Sequence, residues 1–185
     1  LSVVNAARVS FSKTSEWESI PEAGPVDGLL SSQDEKLIDY LAKHNHWSPF
    51  GHASMQFHIK APVFVARQLV KHQVGLVWNE VSRRYVDDEV QFYIPEEWRG
   101  APENSKQGSS GEVIDINPRG SMVDDYQQVC KKAKWTYEHL LSQGVAPEQA
   151  RMVLPQSMMT EWYWSGTLMA FARVCNLRCK PDTQL

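Results

Sequence analysis

The sequence predicts one domain of mixed α/β class, of the α+β type, in which helices and strands follow no regular alternation. Three observations predict it. Residues 122–141 repeat apolar side chains at helical spacing, and residues 53–60 alternate apolar with polar. No regular βαβ succession and no glycine-rich phosphate loop is present, which argues against a Rossmann or P-loop nucleotide binder. The 185 residues suit a single domain, 1–185, with a core of its own.

In chain order, residues 12–32 hold much Ser, Pro, Gly and Glu and read as a loop. Ser32 and Glu35 make a capping-box pattern, and Leu37, Ile38 and Leu41 form the stripe of the helix that follows. The stretch from His44 to Pro49 ends it. Ala53, Met55, Phe57 and Ile59 then share one face of a half-buried strand. Pro62 fits the first position of a helix running to about Val74, where Gly75 loosens the chain. Arg84 to Ile94 reads as another strand, closed by Pro95. Residues 99–120, centred on Lys106, Gln107 and Gly108, form a long loop of the kind that is often functional. The clearest helix follows: Met122, Tyr126, Val129, Cys130, Ala133, Tyr137, Leu140 and Leu141 line one face, and Gly144 stops it. Pro147 starts a short helix ending near Pro155. Residues 157–164 are a short strand, and Leu168, Phe171, Val174 and Cys175 mark a last helix carrying Arg178.

Composition narrows the partners. Hydrophobic and charged contents of 42% and 22% are ordinary for a globular protein. A net charge of −3 offers no general attraction to nucleic acid, so an anionic ligand needs local cations. The apolar stretches are too short for a membrane span, and no signal segment is visible, although the chain begins at Leu1 without Met and both termini are expected to be incomplete. The odd cysteine count (Cys130, Cys175, Cys179) argues against a disulfide framework and for core or semi-buried thiols in a reducing, cytoplasmic setting. Cys175 and Cys179 alone make a poor zinc site, and His44, His46, His52 and His58 match no zinc spacing, so no metal is expected. Trp47, Trp78, Trp98, Trp135, Trp162 and Trp164 among scattered arginines raise a single-stranded nucleic-acid-binding module as a rival, opposed by the absent basic excess and by core-like patterns around most of them.

Chemistry concentrates between Arg67 and Tyr85. On a helix Arg67 and Lys71 align, with Gln68 and His72 beside them, a stripe that by itself is more often a solvated face. Asn79, Glu80, Ser82, Arg83 and Arg84 then crowd into a short segment after Gly75. They offer cations and a hydroxyl for a phosphate, and an amide and carboxylate for sugar or base edges.

Lys71-His72-Gln73, eight residues and Ser82, with Asn79-Glu80 before the Ser and Arg84-Tyr85 after it, resembles the signature of the flavin-dependent thymidylate synthases. Asn5-Ala6-Ala7-Arg8-Val9-Ser10 resembles that family's opening, and His46-Trp47-Ser48-Pro49-Phe50-Gly51-His52 its flavin-side segment. Ala150-Arg151-Met152-Val153-Leu154-Pro155 and Asn176-Leu177-Arg178 resemble two later landmarks. The family's Arg-His-Arg triplet has lost both arginines here, to Lys71 and Gln73. Gly51 stands where Glu is usual, and Met169 where Arg is common.

The resemblance implies a central, mostly antiparallel sheet flanked by helices, in a homotetramer whose active sites are shared between subunits. It implies a methyltransferase that converts dUMP to dTMP with 5,10-methylenetetrahydrofolate as carbon donor and NADPH-reduced FAD as hydride source, releasing tetrahydrofolate. The location implied is the cytoplasm of a bacterium, or of a host if the chain is phage- or virus-encoded. FAD contacts carry over to His46, Ser48, Lys71, His72, Gln73, Asn79, Thr167 and Arg173. dUMP contacts carry over to Gln68, Glu80, Ser82, Arg84, Arg151 and Arg178, with Arg83 acting through its backbone and Arg84 and Arg151 taking the phosphate. Arg178 is the expected stabiliser of charge on the pyrimidine, and Ser82 orients substrate instead of attacking it. None of the cysteines has an activating neighbour in sequence, unlike the nucleophile of the ordinary thymidylate synthase. The altered triplet and Gly51 leave a second reading, a degenerate member that binds dUMP without flavin turnover.

Overall fold

A computed structural model describes residues 1–19, 28–86, 88–103, 108–114 and 122–180. Its elements, in order, are α1 (Ser2–Arg8), β1 (Glu18–Ser19), β2 (Gly28–Leu29), α2 (Ser32–Lys43), β3 (Ser54–Pro62), α3 (Val63–Leu69), β4 (Leu76–Glu80), α4 (Met122–Ser142), α5 (Pro147–Ala150), β5 (Met159–Thr167) and α6 (Leu168–Arg178). Lys106 and Gln107 lie outside the described residues.

The main sheet has the order β3-β5-β4. Val63 N donates to Met158 O at 2.9 Å and Leu168 N to Ala53 O at 2.8 Å, so residue numbers rise on β3 as they fall on β5. Val81 N to Glu161 O at 2.9 Å and Thr167 N to Gly75 O at 3.4 Å give the same sense for β4. Both pairings are antiparallel, as expected. β1 and β2 make a separate antiparallel pair, Glu18 opposite Leu29.

The chain divides into two compact units, residues 1–56, 74–77 and 165–175 in the first, and 57–73, 78–164 and 176–185 in the second. In the first, α1 packs on α2 and on the tight turn Ser48–His52, burying Val3, Val4 and Leu41. Asp34 is sealed there at 1% exposure. It accepts from Arg8 Nε at 3.1 Å, from Arg8 Nη2, and from Ser15 Oγ at 2.9 Å. Burial pushes this carboxyl up, but the bonds from Arg8, Ser15 and Ser31 outweigh it and hold the pKa below its ordinary value. In the second unit Val90, Tyr137 and Ala150 form a core with Phe92, Leu140, Leu141 and Met158 packed against it.

Several expectations need correction. The cap of α2 is Ser31, whose Oγ accepts from Asp34 N at 3.2 Å, one residue before the predicted box. Pro62 is the cap of α3 and not its first residue, and that helix ends at Leu69 instead of near Val74. The reason is tertiary: Gly75 at φ +76° turns the chain into β4, and a Cβ on Gly166 would lie 2.3 Å from Gly75 O, so the two backbones meet there. The segment from Arg84 to Ile94 is not a strand among the described residues; it keeps one bridge, Phe92 to Met158. Arg83 takes the Asp88 and Glu89 carbonyls, acceptors that a ladder would need. Phe57, expected on the packed face of its strand, is 43% exposed, and Cys175 and Cys179 are exposed, leaving Cys130 as the buried thiol. Of the six tryptophans weighed, Trp162 and Trp164 are buried, while Trp47 and Trp135 stand more than half exposed.

Candidate functional site

All seven residues expected to contact dUMP fall in the second unit. They form three local groups. Arg178, the last residue of α6, donates from Nε to His72 Nε2 at 3.0 Å and from Nη2 to the Gln68 carbonyl at 3.4 Å. Two acceptors thus aim the guanidinium. Burial, and then the Arg178 charge, hold the His72 imidazole below its ordinary pKa. A neutral imidazole can accept at Nε2, whereas an imidazolium would donate there and repel the arginine.

Glu80, Arg83 and Arg151 form the second group, lining a cavity of about 190 Å³ with Val63, Thr160 and Met158. Glu80 Oε1 accepts from Thr160 Oγ1 at 2.7 Å and Oε2 from Trp78 Nε1 at 3.2 Å. Arg83 spends its guanidinium on the Asp88 and Glu89 carbonyls, in keeping with a backbone role toward a ligand. An adjoining cavity of about 360 Å³ shares Arg83 and Thr160 and adds Lys60, Gln91 and Glu161.

Ser82 and Arg84 are the third. Ser82 Oγ accepts from Arg84 N at 3.4 Å and Nε at 3.1 Å. Among the described residues its hydroxyl bonds to Arg84 alone, and a guanidinium cannot take its proton. That geometry suits orientation and not attack. The Arg84 guanidinium also sits 4.9 Å over the Tyr85 ring.

The residues expected at the flavin are more dispersed. His46 and Ser48 line an open cavity of about 1130 Å³ in the first unit, with Tyr40, Trp47, Lys13 and Lys36 on its wall. The His46 and Tyr40 rings meet edge-on at 5.9 Å, and Trp47 is 63% exposed. Flat rings beside ammonium groups fit the chemistry of a flavin with a diphosphate. Lys71, Gln73 and Asn79 are exposed, and Lys71 lies beyond α3, so the predicted alignment with Arg67 does not form. Thr167 accepts from Ala170 N at 3.2 Å and so caps α6; Arg173 is exposed. Gly51 faces open space, since a Cβ there meets only Trp47 at 4.0 Å.

Sequence reasoning missed Thr160 and the indole of Trp78. The available signal was a lone polar residue in register with Trp162 and Trp164 on the inward face of β5. No group of three or more potential metal ligands exists among the described residues. No described helix is long and apolar enough to cross a membrane.

Comparison with known proteins bears on this arrangement. Residues 1–185 match the family model described as thymidylate synthase complementing protein. The chain is 40% identical over 185 residues to a flavin-dependent thymidylate synthase of Kosmotoga olearia, covering 99% of this chain and 73% of that protein. It is 37% identical to one of Thermus thermophilus, covering 98% of this chain and 61% of the relative's length. A crystal structure of a UMP/dUMP methylase, PolB, from Streptomyces cacaoi bound with 5-Br dUMP superposes with a TM-score of 0.67 at 34% identity, covering 96% of this chain and 72% of that one.

Proposed function

The chain belongs to the thymidylate synthase complementing protein family, that of the flavin-dependent thymidylate synthases, and from that premise we propose that it methylates dUMP to dTMP. The observation that carries the reading is the convergence of Glu80, Arg83 and Arg151 on one cavity, with Arg178 held by His72 and Gln68 in the same unit. Arg151 and Arg84 supply cations for the phosphate, each charge-assisted bond contributing roughly 1.5–3 kcal/mol. Glu80 accepts from the nucleotide's N–H or O–H donors. Arg178 neutralises negative charge that develops on the pyrimidine carbonyl, its direction set before substrate arrives.

FAD, reduced by NADPH, would supply the hydride, and 5,10-methylenetetrahydrofolate the carbon, leaving tetrahydrofolate. The ring-lined cavity with His46 and Ser48 supports a flavin role for these residues. We place Lys71, His72, Gln73, Asn79, Thr167 and Arg173 with the flavin by resemblance alone, as we do the homotetramer and its shared active sites. For His72 the observed bond to Arg178 adds a second role.

The test is the visible spectrum of the purified protein. A bound flavin that bleaches on NADPH under anaerobic conditions, followed by dTMP formation with methylenetetrahydrofolate, is the expected result. A protein that binds dUMP yet takes up no flavin from excess FAD would sink the enzyme reading and leave a degenerate nucleotide binder.

A further inference from the structure

Thr160 is 3% exposed, a polar residue on the face of β5 that also carries the buried Trp162 and Trp164. A buried hydroxyl without a partner is costly, and this one donates to Glu80 Oε1 at 2.7 Å. Trp78 Nε1 reaches the other oxygen at 3.2 Å. The Trp78 ring is itself fixed, stacked on Trp162 with centroids 4.4 Å apart and planes 17° from parallel. One donor per oxygen, from a neighbouring strand and from the same strand, fixes the carboxylate plane of an exposed glutamate. An ionised carboxylate has about four lone-pair positions, so two such bonds leave the others for a ligand.

We propose that Thr160 is a positioning residue: its hydroxyl aims the Glu80 carboxylate so that its remaining acceptor positions meet the hydrogen-bond donors of dUMP. This rests on the dUMP reading given above. Thr160 lines the same cavity, but its hydroxyl is given to Glu80 and acts on the nucleotide through that carboxylate. It lowers the cost of binding by removing the rotation that Glu80 would otherwise have to give up.

The experiment is calorimetric titration of dUMP into the full chain, with steady-state KM and kcat alongside. Thr160→Val keeps shape and strand preference but deletes the donor. It is expected to weaken dUMP binding about tenfold, the usual size for a hydrogen bond to a charged group. KM for dUMP rises with it, while kcat and flavin content hold. Thr160→Ser restores the hydroxyl and returns affinity close to the original. In a Glu80→Ala background, which removes the acceptor, Thr160→Val adds little, because the two act as one unit. Thr160→Ala provides a second hydroxyl deletion should the valine variant not fold. Equal dUMP affinity for Thr160→Val and the unaltered chain, with Glu80→Ala impaired, overturns the positioning role alone. Equal losses for Val and Ser overturn it too, since packing and not the hydroxyl would then matter. No dUMP binding by the unaltered chain overturns the functional reading and takes this inference with it.

Discussion

Asp34 and Glu80 are both carboxylates gripped by side-chain donors, yet one is sealed and the other open. Asp34, in the first unit, is 1% exposed and takes a two-pronged contact from Arg8 and a hydroxyl from Ser15. Glu80, in the second unit, is exposed, and its two donors, Thr160 and Trp78, are neutral. Asp34 has its cation built into the chain and holds α1, α2 and the Ser15 segment together. Glu80 is aimed without being neutralised and borders a cavity with Arg83 and Arg151. The same group is thus tied into the architecture where it is buried against a cation, and is left open to a partner where it is exposed and its donors are neutral.

The contrast breaks hardest at Arg8. Arg8→Ala strands the Asp34 charge in the interior and should cost roughly 3–5 kcal/mol in denaturant unfolding. A loss under 1 kcal/mol would show that Asp34 is not sealed. The same pair predicts acid sensitivity. The folded carboxyl pKa is depressed, so its stabilisation is full above the unfolded value near pH 4 and disappears as pH falls through the folded value. Asp34→Asn should remove that part of the acid transition.

At the open site the effects fall on turnover. Arg178→Ala should lower kcat roughly 100- to 1000-fold, the usual scale for removing one donor to a developing oxyanion. Its melting temperature should stay near that of the parent chain. A large stability loss with normal turnover would place Arg178 with Asp34 in the architectural class. Ser82→Ala is smaller: about a tenfold reduction, consistent with losing one orienting contact. Complete inactivity with intact dUMP affinity would instead revive Ser82 as a nucleophile.

The smallest effect is the pH dependence at His72. Its folded pKa is lowered, so the native state binds fewer protons than the unfolded chain between the folded value and about 6.5. Stability therefore rises with pH in that window, and dUMP affinity should fall as pH drops through it and Arg178 loses its acceptor. His72→Gln keeps an acceptor that does not titrate and should flatten the profile; an unchanged slope in that variant removes His72 from the pH response.

Much of this was legible in the residues themselves. The long helix α4 was readable because its apolar side chains recur over five turns and Gly144, at φ +80°, stops it. β3 showed its alternation, residues 157–164 were readable as a short strand that β5 extends to Thr167, and the ordered motifs around Arg67–Tyr85, Arg151 and Arg178 pointed to the family. Local pattern failed where distant backbone decided the outcome. The stretch after Leu69 carries helix-compatible residues, but β5 recruits Leu76–Glu80 as a strand through the close meeting of Gly75 and Gly166. The run from Arg84 to Ile94 has strand-forming residues, but Arg83 occupies the Asp88 and Glu89 carbonyls, and among the described residues only Gln91 and Tyr93 keep backbone bonds to the 157–159 segment.

By itself, then, the sequence determined what depends on neighbours within a few turns: the fold class, most of the helices, strands β3 and β5, and which cations and carboxylates are candidates to meet a nucleotide. The tertiary structure alone decided which of those charges are spent and which are presented. That choice depends on pairs far apart in the chain, Arg8 with Asp34, Thr160 with Glu80 and His72 with Arg178, whose separations of 26, 80 and 106 residues no local period encodes.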